Sequence, residues 1–97
     1  MLNVETTPRF DKEFKKLDPY IQKMIAAWIR KNLVGCDNPR VQGKALKGSY
    51  AGQWRYRIGD YRIICSIEDD RMVILTLTVG HRSSVYLRED KNVIIKP

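Results

Sequence analysis

The stretch QWRYRIGDYRIIC, residues 53–65, decides the fold of this chain. Apolar and polar residues largely alternate on both sides of a Gly-Asp pair, and a period of two is typical of strands with one buried face. A two-residue turn with glycine in first place is typical of a β-hairpin. The stretch therefore predicts two antiparallel strands joined at Gly59 and Asp60. The expected cross-strand pairs are Ile58 with Tyr61, Arg57 with Arg62, Tyr56 with Ile63, and Arg55 with Ile64.

This pairing predicts a hairpin with one apolar face and one cationic face. Because directly opposed residues point to the same side, Arg55, Arg57 and Arg62 share a face. The other face is expected to carry Trp54, Tyr56, Ile58, Tyr61, Ile63, Cys65 and Ile67. Opposed like charges repel, and the nearest acids lie in the turn and at the far end of the hairpin. A phosphate is therefore the expected counter-ion, since guanidinium binds it through a planar fork of donors, although solvated arginines that splay apart also fit the pattern.

A third strand is predicted over residues 72–79, and its threonines indicate which face is exposed to solvent. The residues expected to face inward are Leu75, Leu77 and Val79, and those expected beside the arginines are Thr76 and Thr78. This orientation requires a loop of three residues, 69–71, because a two-residue loop would turn every side chain to the opposite face.

Two helices are predicted before the hairpin. An N-cap residue followed by proline occurs at residues 7–8 and again at residues 18–19, and both pairs are typical helix starts. Apolar residues then recur at helical spacing as far as Gly35, a favourable residue after a helix end. Residues 2–6 alternate weakly and predict a short strand.

These elements predict an α+β fold, in which an N-terminal antiparallel helical hairpin packs on one face of a small, mainly antiparallel, twisted sheet. A chain of 97 residues has the length of one hydrophobic core, so we expect a single domain over residues 1–97. The tail at residues 87–97 is compatible with a docked helix or with a strand.

Composition and cysteine usage predict a soluble, cytoplasmic protein. Apolar residues make up 43% and charged residues 30% of the chain, which is close to ordinary globular values. No apolar run approaches the roughly 18–20 residues that span a bilayer, and the first residues lack the pattern of a leader peptide. Cys36 and Cys65 match no metal-ligand spacing, so we expect reduced core thiols, no metal site and no cofactor.

The net charge of +7 is concentrated in one quarter of the chain. Between Arg40 and Arg62 there are six basic residues and one acid, which together contribute +5. Such a local cationic field attracts polyanions. We therefore expect a nucleic-acid or phosphate partner, with Arg40, Lys44 and Lys47 as candidate RNA contacts, although a merely solubilising surface also fits.

A mechanism for cleaving RNA without a metal can be built from the cationic face. With the neighbouring 2′-OH as nucleophile, the protein must align the reacting oxygens, stabilise extra charge on phosphorus and move two protons. Charge stabilisation is the largest requirement, and the available groups are Arg55, Arg57, Arg62 and Arg82. His81 is the candidate proton carrier because histidine is the residue type whose ordinary pKa lies nearest neutral pH, although a structural role beside a strand end also fits. Tyr86 could carry a proton, stack on a base or close the core.

Three segments of the chain carry a family resemblance. They are KALKG at residues 44–48, WRYRIGDYRI at residues 54–63, and VGHR at residues 79–82 with a tyrosine beyond. Together they resemble the RelE/ParE superfamily of bacterial type II toxins, and within it the RelE branch. The resemblance implies an endoribonuclease that enters the ribosomal A site, cuts the bound mRNA through the 2′-OH, and is held inactive by a cognate RelB-like antitoxin. It also implies active-site positions at Arg55, Arg57, Arg62, Arg82 and Tyr86, with Lys47 in contact with RNA.

Two other functions fit the same sequence. One is a ParE-like protein that binds and inhibits DNA gyrase without hydrolysis, and the other is a basic nucleic-acid-binding module without chemistry. Several arginines converging on one patch favour cleavage over gyrase inhibition, and the binding module stays open as a third possibility. Either toxin requires an antitoxin, for which we expect an acidic, partly disordered region that folds on binding. By the resemblance, operator DNA would be bound only through the antitoxin complex.

Overall fold

The computed structural model describes residues 2–81 of the chain. Within these residues, two helices and five strands follow one another in the order β1 (Asn3–Thr6), α1 (Pro8–Lys15), α2 (Pro19–Asn32), β2 (Lys44–Ala45), β3 (Gln53–Ile58), β4 (Tyr61–Glu68) and β5 (Val73–His81). The strands form one sheet in the order β1-β5-β4-β3-β2. Strand β1 is parallel to β5 and the remaining pairs are antiparallel. The predicted α+β class with a mainly antiparallel sheet is confirmed.

Both helices begin at the predicted caps. The Thr7 hydroxyl accepts a hydrogen bond from the Phe10 amide at 3.1 Å, and the Asp18 carboxylate accepts one from the Tyr20 amide at 2.8 Å. Each cap satisfies an N–H group that has no partner within the helix. Neither described helix is long and apolar enough to cross a membrane.

The hydrophobic core lies between the helices and one face of the sheet. Ile25, Tyr56, Ile63 and Ile74 are fully buried there. The ring of Trp28 on α2 lies against that of Tyr56 on β3, with 5.5 Å between the ring centroids. Burial of this sheet face stabilises the fold, since the hydrophobic contribution grows with the apolar area removed from water.

The hairpin of β3 and β4 has the predicted register. Ile58 pairs with Tyr61 and Arg57 with Arg62 across the turn, and Gly59 takes the positive φ of 59° that this turn requires. The turn therefore sets which side chains share a face, as expected from the sequence.

The predicted orientation of β5 is wrong over most of its length. Glu68 pairs with Val73, so four residues separate β4 from β5, and the extra one is Met72, in left-handed conformation. An even loop turns Ile74 and Thr76 toward the helices, where both are fully buried. Leu75 instead shares the side of Ser66, its cross-strand partner.

A β-bulge then reverses the alternation. Ile64 pairs with Thr78 and Cys65 with Thr76, so that Leu77 is the additional residue. Beyond the bulge Val79 is buried in the core as predicted. The expected inward positions of Leu75 and Leu77, and the expected place of Thr76 beside the arginines, are therefore wrong.

The face opposite the helices is also less exposed than the sequence indicates. The solvent-exposed fraction is 1% for Ile64 and 5% for Val73. Ile64 lies on the central strand, with Arg55 opposite on one side and Thr78 on the other. An apolar centre therefore separates the arginines from the far end of this face.

Candidate nucleic-acid interface

Four basic residues occupy neighbouring positions on the sheet face opposite the helices. Arg57 is directly opposite Arg62, and Arg55, two residues earlier on β3, is directly opposite Lys44 on β2. Opposed residues have Cβ atoms about 4.5–5.5 Å apart, and alternate residues of one strand are about 6.8 Å apart. We call Lys44, Arg55, Arg57 and Arg62 the cationic face.

Arg62 is the buried member of the cationic face, with 5% of its surface exposed. Its Nη1 donates to the carbonyl oxygens of Tyr61 at 3.2 Å and Gly59 at 3.4 Å, both at the hairpin turn. Its Nε is buried and has no hydrogen-bond partner among residues 2–81. A buried donor without a partner is costly. The bonds of Nη1 therefore hold the guanidinium in place, while Nε can still donate to a bound acceptor.

The ion pairs of the described residues lie away from Arg57 and Arg62. They join Arg9 to Glu13, Arg40 to Asp69, and Arg71 to Glu5 and Glu68. Within residues 2–81, no carboxylate therefore neutralises the opposed Arg57 and Arg62. The sequence predicts opposed arginines without a neighbouring acid on the same face, and Arg57 and Arg62 have this arrangement.

Arg40 lies away from the cationic face, although it is one of the RNA contacts expected from the sequence. Its guanidinium binds both carboxylate oxygens of Asp69, at 3.1 and 2.9 Å. This bidentate hydrogen bond raises the pKa of Arg40 and lowers the pKa of Asp69. Asp69 is seven residues from Arg62 along the chain, or about 23 Å on an extended strand. The structure thus gives Arg40 an intramolecular partner at the opposite end of the sheet.

His81 is not brought together with the arginines. It pairs with Tyr61, and the two rings meet edge to face with 5.5 Å between centroids. Since opposed residues point to the same side and Tyr61 packs against the core cluster, His81 lies on the helix side of the sheet. Lys47 follows β2 at the Gln53 end of β3, because the neighbouring Leu46 amide bonds to the Gln53 carbonyl. Two further predicted site residues, Arg82 and Tyr86, fall outside the described residues.

A cleft that the sequence alone does not predict lies beside the cationic face. Its volume is about 220 Å³, and it is lined by Trp28, Gln42, Gly43, Lys44, Arg55 and Arg57. Trp28 is one of the apolar residues that recur at helical spacing along α2, and it packs against the core, but its side chain is only partly buried. No spacing rule connects α2 to the segment before β2, so only the folded chain could reveal this cleft.

Comparison with known proteins agrees with this fold and with the family resemblance. The family described as ParE toxin of type II toxin-antitoxin system, parDE, matches residues 4–86. Toxin RelG of Mycobacterium tuberculosis is 32% identical over 83 residues, which cover 86% of this chain and 91% of the relative.

Two solved structures show how far the likeness extends in three dimensions. A chain of the toxin-antitoxin complex RelBE2 from Mycobacterium tuberculosis superposes with a TM-score of 0.76 at 28% identity, covering 84% of this chain and 91% of that one. The isolated RelE toxin of Escherichia coli has a TM-score of 0.68 at 22% identity over 96% of this chain and 99% of that one, which shows a shared fold. Because the family match spans most of the sequence, the chain belongs to the ParE toxin family of type II toxin-antitoxin systems, in the RelE branch of the RelE/ParE superfamily.

Proposed function

We propose that this toxin is a metal-independent endoribonuclease that cuts mRNA in the ribosomal A site. The observation that carries the proposal is the opposed pair of Arg57 and Arg62, which has no carboxylate partner within residues 2–81. Such a pair is unfavourable in the free protein and becomes favourable once a phosphate lies between the two guanidinium groups. The RelE-like relatives support the same function.

The proposed chemistry forms a bond between the 2′-oxygen and phosphorus and breaks the bond to the 5′-oxygen of the next nucleotide. One proton leaves the 2′-OH and another reaches the departing oxygen. The arginines stabilise the additional negative charge on the phosphoryl oxygens, a contribution that is often the largest single one in catalysis. Arg62 is suited to this role because its orientation is held by the turn carbonyls.

Proton transfer is not the main contribution of the cationic face. Arginine keeps its proton at ordinary pH, and His81 lies on the other side of the sheet. We therefore infer that the protein acts by electrostatic stabilisation and by orientation of the substrate. The ribosome would impose the geometry of the codon, which so small a surface cannot do alone.

The test is in vitro translation of a defined message, with breaks mapped by primer extension in the presence and absence of ribosomes. Cuts are expected only with ribosomes. Arg57→Ala and Arg62→Ala should each lower the cleavage rate about 100-fold or more, as removal of one stabilising donor does in other enzymes. Arg71→Ala is the matched control, because it removes an arginine that is paired with Glu5 and Glu68. Equal cutting by the parent and by both variants would refute the site.

Inhibition of DNA gyrase is the second candidate function, favoured by the ParE description of the matching family. It predicts loss of supercoiling activity in a purified gyrase assay and intact mRNA in the translation assay. The opposed Arg57 and Arg62 would then have no phosphate to bind, so replacing them should leave gyrase inhibition unchanged. Absence of any mRNA break together with gyrase inhibition would establish this alternative.

The expected partners follow from the same proposal. Solved relatives include RelB-RelE antitoxin-toxin complexes, and we propose a RelB-like antitoxin for this chain, with an acidic segment that covers the cationic face. Ribosome and mRNA are the proposed targets, which implies action in the cytoplasm. Operator DNA would be reached only through the antitoxin complex.

A further inference from the structure

The cleft beside the cationic face lies between α2 and the outer edge of β3. Strand β2 pairs only with Trp54 and Arg55, so within residues 2–81 the outer edge of β3 has no strand partner from Tyr56 to Ile58. The cleft lies at the N-terminal end of β2, and Arg57 lines it while also facing Arg62 across the hairpin. Arg57 thus belongs both to the cleft and to the proposed cleavage site.

The wall of the cleft is held in place by side-chain bonds to the segment before β2. The Gln42 side-chain amide donates to Asn32 Oδ1 at 2.8 Å, and the Asn32 amide donates to the Trp28 carbonyl at 2.9 Å. The Trp54 indole donates to the Gln42 carbonyl oxygen at 2.6 Å. These contacts fix Gln42 between α2 and β3, so the cleft is formed before any ligand binds.

Gly43 allows this close approach. A Cβ at this position would lie 2.3 Å from the Arg55 carbonyl oxygen and 2.6 Å from the Trp54 indole nitrogen. Its φ of 80° also lies in the left-handed region that favours glycine. A side chain here would push the segment away from β3 and fill the cleft.

The lining combines three cations with a flat, partly buried aromatic ring. Lys44, Arg55 and Arg57 suit a phosphate group, and the Trp28 indole suits the face of a base. No hydrogen bond within residues 2–81 uses Oε1 of Gln42, which leaves an acceptor for an exocyclic amino group of a base. A volume of about 220 Å³ is below the roughly 300–1,000 Å³ of drug-sized pockets, so a single nucleotide fits better than an extended segment.

We propose that the cleft is a subsite for the mRNA nucleotide next to the scissile phosphate, with its base against Trp28 and its phosphate on Lys44, Arg55 and Arg57. This inference rests on the proposed ribonuclease function and adds a position to it. An RNA strand crossing the hairpin would place the scissile phosphate between Arg57 and Arg62 and the flanking nucleotide in the cleft. An acidic peptide would satisfy the cations, but it would leave the indole without a flat partner.

The test uses the full chain labelled with ¹⁵N and an RNA trinucleotide made non-cleavable by 2′-deoxy substitution. Three further trinucleotides each lack one base. The intact trinucleotide should shift the Trp28 indole signal, and one of the abasic versions should bind about 5- to 150-fold more weakly, the range found when a base loses its aromatic partner. In Trp28→Leu the affinity difference between the intact trinucleotide and this abasic version should fall to less than about twofold. Trp28→Phe should retain part of that difference.

A second variant covers the case in which Trp28→Leu fails to fold, since Trp28 packs on Tyr56. Gln42 is exposed, and Gln42→Ala should reduce the difference between intact and abasic trinucleotides while preserving the fold. Lys44→Ala should weaken all four trinucleotides alike and lower the slope of log affinity against log salt by about one. Lys31→Ala removes an equal charge from the exposed side of α2 and is the matched control. It should change neither the affinity for the trinucleotides nor the slope of log affinity against log salt.

The subsite and the proposed function can fail separately. If all abasic trinucleotides bind the parent equally while ribosome-dependent cleavage occurs, the subsite is refuted alone. If base-dependent binding is found but no message is cut, the nuclease function is refuted alone. A hexa-aspartate peptide is expected to bind Lys44, Arg55 and Arg57, as the proposed antitoxin segment would, and this binding should not depend on the indole. If Trp28→Leu weakened the peptide as much as the trinucleotide, the assignment to a nucleotide would be overturned.

Discussion

Replacing Arg57 by glutamine should stabilise the free protein while reducing its activity on RNA. Arg57 is exposed and faces the buried Arg62 on the adjacent strand. Glutamine keeps a polar side chain of similar shape and removes one of the two opposed charges. The substitution therefore isolates the repulsion that we attribute to this pair.

The expected gain can be worked from the geometry of the pair. Opposed Cβ atoms lie about 4.5–5.5 Å apart, and two charges at about 7 Å repel by roughly 2.4 kcal/mol at an effective dielectric constant of 20 and roughly 0.6 kcal/mol in water. Since Arg57 is exposed, the repulsion is screened toward the lower value, which agrees with the about 0.2–1 kcal/mol for cross-strand pairs. We expect a gain of about 0.5–1 kcal/mol, or roughly 2–8 °C in Tm for a domain of this size.

Thermal denaturation at low and high salt measures this effect. The difference between Arg57→Gln and the parent should shrink by more than half at 1 M salt, where the Debye length is about 3 Å. Arg30→Gln, on the exposed side of α2, is the control and should change stability by less than about 0.5 kcal/mol. Inorganic phosphate should stabilise the parent more than Arg57→Gln, because only the parent keeps both guanidinium groups. A loss of stability in Arg57→Gln, or a gain that salt does not reduce, would refute the repulsion.

Three further predictions concern packing and thiol reactivity. Glu13→Ala should lower the free energy of unfolding by about 1–3 kcal/mol, as measured by urea denaturation. The Glu13 carboxylate accepts hydrogen bonds from the Thr78 hydroxyl at 2.5 Å and from the Val79 amide at 3.1 Å. An unchanged free energy of unfolding would show that these bonds do not stabilise the fold. Gly43→Ala should destabilise the protein more than Gly52→Ala, since both glycines have positive φ but only Gly43 has atoms in the path of a Cβ, and an equal effect in calorimetry would contradict the close approach to β3. Burial raises the pKa of the Cys65 thiol to about 12, so at pH 8 this thiol should react with a disulfide reagent only after unfolding. The partly exposed Cys36 should react in the native state. Rapid labelling of both thiols in the native protein would contradict the burial of Cys65.

The main elements of the fold were predictable because each depends on residues close together in the chain. Thr7 and Asp18 cap helices through contacts two or three residues away. The turn at Gly59 sets the register of its own hairpin, and with it the common face of Arg57 and Arg62. Local rules of turn geometry and alternation were therefore enough to predict both the hairpin and the core of the cationic face.

The orientation of β5 and the surroundings of the site were decided only by the tertiary structure. The four-residue loop and the bulge near Leu77 bury Ile74 and Thr76 in the core, although the alternating leucines and threonines indicate the opposite. The partner of Arg40, the side of the sheet on which His81 lies, and the cleft under Trp28 each depend on segments distant in sequence. Local sequence rules carry no information about such contacts, because their free energies arise only when the completed sheet brings those segments together.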